Sequence, residues 1–367
     1  MALEKLGISY NIADYVEIDK YAVKSFNAIH DTNFEPQDIR KWDKDIKVDL
    51  IMHGSPCQDF SLAGKNAGGD KDSGTRSSLM YETIRIVEKL KPKYVLWENV
   101  KNLLSKKHIH NFNAYLEIME QLGYKNYYQV LNAKDYGIPQ NRERVFVVSI
   151  RNDINKIYAF PQKQELKLKL KDLLEDKVDE KYYLSEKMIK YISATGTANF
   201  KNPDAKINLD IARPLTTDPN KRAGTTNYLS DELPANYDLS ILIKNNTKKG
   251  YLEAFEGDGV DISGRMQYHR GNVQKQMIQT LNTKQDYGVV TEDLRIRKLT
   301  PREYWRLMGF SDEVFEKVQK VNSDTQLFKQ AGNSIVVNVL EAILSNLLLD
   351  NESENEIVGQ MSIFDII

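Results

Sequence analysis

A chain of 367 residues whose only cysteine is Cys57 has no intramolecular disulfide and no four-thiolate zinc site. Its formal net charge of −1 at pH 7 gives no overall basic signature, so a polyanion would have to bind a local patch. No apolar run approaches the roughly 20 residues that span a bilayer, and the N-terminus lacks the pattern of a signal peptide. We therefore expect a soluble, cytoplasmic monomer with no membrane association and no metal.

The first part of the chain, from about Tyr15 to Ile150, alternates apolar β-type runs with segments of helical periodicity. This alternation is typical of an α/β unit with a largely parallel sheet. A short apolar strand is expected before Glu17. The other predicted elements are a strand at Val48–Pro56, a helix in SSLMYETIRIVEKLKP, a strand at Lys93–Val100, a helix in NFNAYLEIMEQLG and an antiparallel pair in YKNYYQVLNA and RVFVVSI.

The hydrophobic pattern changes next, since residues 152–293 have scattered polar residues, short apolar runs and little periodicity. This pattern predicts a second, smaller domain of irregular or β-rich character. Order returns in LTPREYWRLMGF, where Thr300, Pro301 and Glu303 have the spacing of a capping box at a helix start.

The stretch QAGNSIVVNVLEAILSNLLL predicts a tight turn at Gly332 and Asn333 and then a long apolar helix. A helix this apolar needs burial on most of its surface, and the irregular middle region offers no obvious partner. We expect it to pack on the first part of the chain. The predicted domains are therefore a discontinuous one of residues 1–151 and 294–367, and a second of residues 152–293.

Two residues whose side chains could take part in a reaction, Cys57 and Glu98, follow the ends of predicted strands. Ligands of open α/β sheets bind beyond the carboxyl ends of the strands, so we expect the two residues to share one cleft. A buried structural cysteine and a solvated strand end are the alternatives. Pro56 stiffens the chain before Cys57, and the polar Gln58 and Asp59 follow it, which favours a nucleophile that reacts as its thiolate.

Five motifs, taken together, resemble those of the DNA cytosine-5 methyltransferase family. They are GSPCQDFS, WENV, QNRERV, RKLTPREYWRLMGF and QAGNSIVV. Each is short enough to occur by chance, but five in the family's order and spacing are highly specific. The resemblance implies a Rossmann-like, S-adenosylmethionine-dependent methyltransferase sheet with a smaller target-recognition domain. It also implies double-stranded DNA as the partner and S-adenosylmethionine as the methyl donor.

The same resemblance implies roles for five catalytic residues. Cys57 would add to C6 of a flipped cytosine and raise the electron density at C5. Glu98 would stabilise the ring through N3 and the exocyclic amine. Arg144 would lie beside the base with Arg142 and Gln140 as its supports, because alternate residues of a strand face the same way. A solvated charged strand edge is the alternative for these last three residues.

For the methyl donor, the resemblance implies that Glu17, next to Ile18, accepts hydrogen bonds from the ribose hydroxyls. Asp38 and Ile39 match the family's adenine contacts. The other implied contacts around the donor are Pro56, Leu79, Asn333 and Ser334. A solvated loop residue is the alternative for an isolated acidic side chain such as Asp38.

The sequence departs from the family's pattern at its start. MALEKLG resembles the helix that follows a first strand and a glycine-rich turn in the family, and both of those features are missing. We expect such a shortened form to bind the donor poorly. Three functions stay open: a sequence-specific DNA cytosine-5 methyltransferase of a restriction or phage system, an RNA cytosine-5 methyltransferase, and a catalytically impaired DNA-binding remnant. The long middle region argues against the RNA enzyme.

Overall fold

The computed structural model describes residues 1–55, 76–185, 206–207, 227–228, 240–263, 271–283, 285–292 and 295–349. The helices are α1 Ala2–Lys5, α2 Lys20–His30, α3 Met80–Leu90, α4 Ile109–Gln121, α5 Pro301–Arg306, α6 Asp312–Gln319, α7 Asp324–Asn333 and α8 Val337–Leu348. The strands are β1 Leu50–His53, β2 Tyr94–Val100, β3 Tyr124–Asn132, β4 Gln140–Asn141, β5 Glu143–Arg151, β6 Lys206–Ile207, β7 Asn227–Tyr228, β8 Ile241–Lys244, β9 Tyr251–Ala254, β10 Gly259–Asp261, β11 Val273–Gln274, β12 Ile278–Gln279, β13 Tyr287–Val290 and β14 Ile296–Lys298.

The chain forms two compact units, Met1–Leu168 with Tyr304–Ile367, and Lys169–Glu303. The first unit is discontinuous in sequence. Its boundaries lie at residues 168 and 304, whereas the sequence analysis places them at residues 151 and 294.

A four-stranded sheet with the order β1-β2-β5-β3 organises the first unit. β1 and β2 are parallel, and α3 supplies the crossover that a parallel pair requires. β5 is antiparallel to both β2 and β3, which confirms the predicted antiparallel pair. The expectation of a largely parallel sheet is wrong for the described strands, because the short connection from β3 to β5 carries no crossover helix.

The main core of this unit lies between the sheet and the helices α3 and α4. Trp97 of β2 is at its centre, with its ring 4.1 Å from that of Tyr115. Other buried members are Met80, Ile84, Val87, Val95, Leu103, Phe112, Leu116, Met119, Tyr124, Val145 and Val147. Alternate residues of β2 and β5 therefore face this core, as the period of a strand requires.

The segment before Glu17 does not form the expected strand. Residues 8–19 have no regular secondary structure, and α2 begins only at Lys20, with the Asp19 carboxylate as its N-cap. The apolar residues of this segment resemble a strand in sequence, but none of the described strands pairs with it, so it joins no ladder there.

The return segment begins as predicted. The Glu303 carboxylate accepts a hydrogen bond from the Thr300 backbone N–H at 2.8 Å, and the Thr300 hydroxyl accepts one from the Glu303 N–H at 3.2 Å. These reciprocal bonds form the capping box of α5.

The predicted turn at Gly332 and Asn333 is wrong, because both residues belong to the last turn of α7. The chain breaks at Ser334–Val336, and the apolar helix α8 begins at Val337. The expected packing of α8 on the first part of the chain is confirmed: the Tyr158 hydroxyl donates to the Ile343 carbonyl, and α8 packs beside α1.

One described stretch, Asp324–Leu348, is long and apolar enough by composition to cross a membrane. The break at Ser334–Val336 divides it into α7 and α8, so it is not one continuous helix. The buried residues of α8 are Val337, Val339, Ile343, Leu344 and Leu347. This pattern is that of a core helix.

The described part of the second unit is built mainly from strands. One sheet has the antiparallel order β11-β10-β13-β14, and β8 and β9 form an antiparallel hairpin. Its core contains Ile243, Ala254, Val260, Ile262, Val290 and Ile296.

A buried ion pair stabilises the second unit and supports the first testable prediction. Arg297 and Glu303 form two hydrogen bonds of 2.7 and 2.8 Å, and the Glu303 side chain is fully buried. Glu303→Gln preserves shape but leaves the Arg297 charge without its counter-charge, so we expect the free energy of unfolding to fall by about 3–5 kcal/mol.

Urea denaturation at neutral pH measures this loss. The matched control is Glu253→Gln, which removes an exposed carboxylate 4.0 Å from Lys249 and should change the free energy of unfolding by less than about 0.5 kcal/mol. Equal stability of the two variants would contradict the prediction.

Candidate active site

The structure joins two of the predicted catalytic residues at the carboxyl end of β2. Arg144 lies opposite Val100, and Glu98 lies opposite Phe146, so both side chains are on the same face of the sheet. Arg144 Nε donates to Glu98 Oε1 at 2.9 Å, and each side chain is about one-eighth exposed, at 15% and 12%. The pair is thus shielded from bulk water but still accessible.

Gly54, directly after β1, leaves space above this pair. A Cβ atom at Gly54 would lie 3.5 Å from Glu98 Oε2, in ordinary van der Waals contact. Gly54 therefore lies directly beside the Glu98 carboxylate.

The two predicted supports of Arg144 contact the return segment. Gln140 Nε2 donates to the Leu307 carbonyl at 2.7 Å, and Arg142 Nη2 donates to the carbonyls of Gly332 and Ser334 at 3.1 and 2.9 Å. Both side chains are buried. Arg142 thus fixes the α7–α8 junction, which carries Asn333 and Ser334, while Arg144, two residues later, reaches Glu98.

Hydrogen bonds join two candidate cofactor-binding segments near the N-terminus. The Gln37 N–H donates to the Glu17 carbonyl at 2.8 Å, and the Gln37 side chain donates to Asp14 at 2.9 Å. Asp14 also accepts from the Trp42 indole at 2.6 Å and pairs with Lys44 at 2.8 Å. This buried carboxylate holds the segment of Glu17 beside the segment that follows Gln37.

Within these segments, the predicted donor contacts have distinct surroundings. Glu17 Oε1 accepts the N–H of Asp19 at 2.8 Å, and the neighbouring Ile18 is 65% exposed. An acidic side chain beside an uncovered apolar one suits a ribose next to a flat ring. Hydrogen bonds from Arg40 lower the pKa of Asp38 to about 2, so this carboxylate is an anion at neutral pH.

Helix α3 contacts Ile39 through Arg85 and begins directly after Leu79. The Arg85 side chain donates to the Ile39 carbonyl at 2.9 Å and pairs with Glu82 one turn earlier, also at 2.9 Å. Leu79 is partly buried directly before α3 begins. Asp14, Gln37 and Arg85 were missed by the sequence analysis, because only long-range contacts give them a role.

Helix α7 brings the last two candidates to the same region. Lys329 pairs with Asp19 at 2.6 Å, and the Ser25 hydroxyl donates to Gln330 at 2.7 Å. Asn333 and Ser334 follow one turn later at the end of this helix. Pro56 and Cys57, the other two predicted site residues, lie outside the described residues.

His53, the last residue of β1, is a partly buried histidine close to the site. Its ring stacks on Trp97 with centroids 5.9 Å apart, and Nε2 lies 3.3 Å from the Tyr115 hydroxyl. Nδ1 is buried with no hydrogen-bond partner among the described residues. Burial lowers the pKa of His53 from the usual 6.5 to about 3, so the folded protein keeps this ring neutral.

A pH dependence of stability follows from this lowered pKa. Between the two values the unfolded chain binds a proton that the folded protein does not, so stability present above pH 6.5 is lost as the pH falls towards 3. His53→Phe keeps the ring stacking but cannot titrate. We expect it to reduce the slope of unfolding free energy against pH by up to about 1.4 kcal/mol per unit between pH 6 and 5. Urea titrations of both proteins at several pH values measure the slopes, and identical slopes would contradict the prediction.

Known proteins resemble this chain over most of its length. A family model described as C-5 cytosine-specific DNA methylase matches residues 1–348. The type II methyltransferase M2.ScrFI of Lactococcus lactis subsp. cremoris is 40% identical over 314 residues, which cover 84% of this chain and 70% of that protein. The orphan methyltransferase M.SPRI of Bacillus phage SPR is 32% identical over 424 residues, with 96% of each chain covered.

Solved structures show the same fold. A Spodoptera frugiperda DNMT2 variant has a TM-score of 0.57 at 19% identity and covers 94% of this chain and 95% of its own. An Escherichia coli prophage protein described as a putative DNA modification methyltransferase has the same TM-score and identity, with 94% of each chain covered. The fold is therefore that of the Rossmann-like S-adenosylmethionine-dependent methyltransferases. With the family model matching almost the whole chain and the motif residues Glu98 and Arg144 in contact, the chain belongs to the C-5 cytosine-specific DNA methylases and is a DNA (cytosine-5-)-methyltransferase.

Proposed function

We propose that this chain methylates C5 of a flipped cytosine within a specific sequence of double-stranded DNA, with S-adenosylmethionine as the methyl donor and through a covalent bond between Cys57 and C6. The observation that carries the proposal is the Glu98–Arg144 pair of 2.9 Å at the carboxyl end of β2. The sequence places the single thiol of the chain just beyond the neighbouring strand, β1.

In this proposal, Cys57 overcomes the weak nucleophilicity of cytosine C5. Addition of the thiolate to C6 moves an electron pair of the ring onto C5. C5 would then attack the electrophilic methyl group, its bond to the donor's sulfur would break, and the sulfur would leave as a neutral thioether. Loss of the C5 proton and expulsion of the thiolate restore the double bond, so the thiol leaves the cycle unchanged.

Glu98 and Arg144 act on the charge that this addition creates. The carboxyl group of Glu98 would hydrogen-bond N3 and the exocyclic amine, and so stabilise the electron-rich ring. The Arg144 guanidinium fixes the Glu98 carboxylate and brings a positive charge to the same face of the sheet. Entry of the base would then exchange some of the carboxylate's contacts with Arg144 for contacts with the ring.

The residues around the donor fit S-adenosylmethionine by their chemistry. When bound, S-adenosylmethionine supplies a methyl group on a positively charged sulfur. Glu17 offers a carboxylate for the ribose hydroxyls, and the exposed Ile18 offers apolar surface for the adenine. Asp38 and Ile39, held beside them through Gln37, are the proposed partners of the adenine edge. Leu79, Asn333, Ser334 and Pro56 complete the proposed set.

We propose residues 152–293, most of which belong to the second unit, as the target-recognition domain. Direct readout of a base sequence needs polar side chains at base edges and basic side chains on phosphates. Lys248 and Lys249 lie between the strands of the β8–β9 hairpin, and the Lys249 side chain is 73% exposed. A hairpin that presents two lysines is a suitable phosphate-binding element in an otherwise nearly neutral protein.

Transfer of a labelled methyl group tests this function. The purified chain is incubated with labelled S-adenosylmethionine and either unmethylated plasmid DNA or tRNA, and nuclease digestion then identifies the labelled base. Label in 5-methylcytosine of the DNA supports the proposal, and label only in tRNA would make the chain an RNA methyltransferase. DNA binding with no transfer to either substrate would make it a binding protein and overturn the proposal.

A further inference from the structure

Three buried side chains at the ends of β1 and β2 form a hydrogen-bonded knot. The Ser55 hydroxyl oxygen accepts from the Trp97 indole N–H at 3.0 Å and from the Asn99 amide at 3.2 Å. Asn99 Nδ2 also lies 3.4 Å from the Ser55 carbonyl. We call these three residues the Ser55 knot.

The geometry of the knot leaves little freedom. Asn99 Oδ1 accepts the Val100 N–H at 2.8 Å, which turns the amide nitrogen of Asn99 towards Ser55. An indole N–H and an amide NH₂ can only donate, so Ser55 is the acceptor in both bonds. Trp97 and Asn99 are each 1% exposed and Ser55 is 9% exposed, so water does not compete for these bonds.

The knot lies on the opposite face of β2 from the catalytic carboxylate. Trp97 and Asn99 flank Glu98 in sequence, and alternate residues of a strand point to opposite faces. β2 therefore presents Glu98 on one face, while Trp97 and Asn99 on its other face hydrogen-bond Ser55, which follows β1. Cys57 is two residues beyond Ser55, and two residues of extended chain span at most about 7 Å.

We propose that Trp97 and Asn99 are positioning residues, which fix Ser55, two residues before Cys57 in the sequence, relative to Glu98. This inference rests on the proposed methyl transfer. Holding Ser55 on the strand that bears the carboxylate limits how far Cys57, two residues later in the sequence, can lie from Glu98. Misplacement of a reacting group by about 1 Å can cost about 100-fold in rate, so such a tie has a direct kinetic value.

Ser55→Ala removes the shared acceptor and tests the inference with little change in volume. We expect the single-turnover rate of methylation of unmethylated plasmid DNA to fall about tenfold, with less than about a twofold change in the dissociation constant for that DNA. Trp97→Phe should have a similar effect. The double variant should be little worse than either single one, because both remove the same interaction. Ser55→Thr, which restores the hydroxyl, should recover most of the rate.

The matched control is Ser149→Ala in β5. Ser149 is fully buried, its hydroxyl donates to Asn126 at 2.6 Å and it also hydrogen-bonds Tyr115, so the same substitution removes buried hydrogen bonds near the other end of the sheet. All rates are measured below the thermal midpoints of the variants. An equal loss of rate in Ser149→Ala, or no loss in Ser55→Ala, would overturn the inference.

Alkylation of the thiol separates this inference from the proposed function. Because Cys57 is the only cysteine, the rate of its reaction with iodoacetamide reports one position and needs neither DNA nor donor. We expect Ser55→Ala to change the alkylation rate by at least about threefold, or to shift the pH midpoint of alkylation by at least about half a pH unit. Ser149→Ala should do neither. An unchanged alkylation profile would overturn the inference even if the wild-type chain methylates DNA. A changed profile in Ser55→Ala, together with a wild-type chain that methylates neither DNA nor tRNA, would refute the proposed function alone.

Discussion

Cys57→Ala is expected to abolish methyl transfer and to leave DNA binding nearly unchanged. Without the thiol, no bond to C6 forms, and C5 stays too electron-poor to attack the methyl group. Loss of a nucleophile on which a covalent mechanism depends typically costs about 10⁴-fold or more in rate. Single-turnover transfer of labelled methyl groups to unmethylated plasmid DNA measures the rate, and a filter-binding titration with the same DNA measures the affinity.

Cys57→Ser is the companion variant, because it keeps a side chain of similar size with a much weaker nucleophile at neutral pH. Both variants should be equally inactive and should bind the plasmid DNA within about threefold of the wild type. A variant that still transferred methyl groups at more than a few per cent of the wild-type rate would show that the reaction does not pass through a Cys57 adduct.

Glu98→Gln is expected to reduce the single-turnover rate by about 10²–10³-fold. The amide keeps the size of the carboxyl group and can still hydrogen-bond, but it cannot share a proton with N3 of the cytosine. It also loses its ionic contact with Arg144, now 2.9 Å from Glu98 Oε1, so the guanidinium charge near the base is no longer balanced.

Glu143→Gln is the control for this substitution. Glu143 precedes Arg144 in the chain, but its carboxylate is 45% exposed and pairs with Lys101 at 3.0 Å. Neutralising it should change the rate by less than about twofold, because an exposed pair contributes little. Similar losses in both variants would mean that the rate follows the total charge of the region, and Glu98 would then have no specific role at the ring.

Local sequence determined much of the fold. The helices α3 and α4 and the strands β1, β2, β3 and β5 follow from hydrophobic periodicity, and the capping box of α5 follows from Thr300, Pro301 and Glu303. These signals are local, since each depends on residues within one or two turns of a helix or along a single strand. The order of five motifs was enough to identify the family.

Tertiary structure decided the features that depend on residues distant in sequence. The contact between Glu98 and Arg144 requires the antiparallel register of β2 and β5, and the bonds of Arg142 to the Ser334 region require the return of the chain. The strand predicted before Glu17 does not form, because a strand needs a pairing partner elsewhere in the chain and an apolar run does not specify one. Local sequence thus predicted most of these elements, and long-range pairing decided whether a segment became a strand and which residues meet.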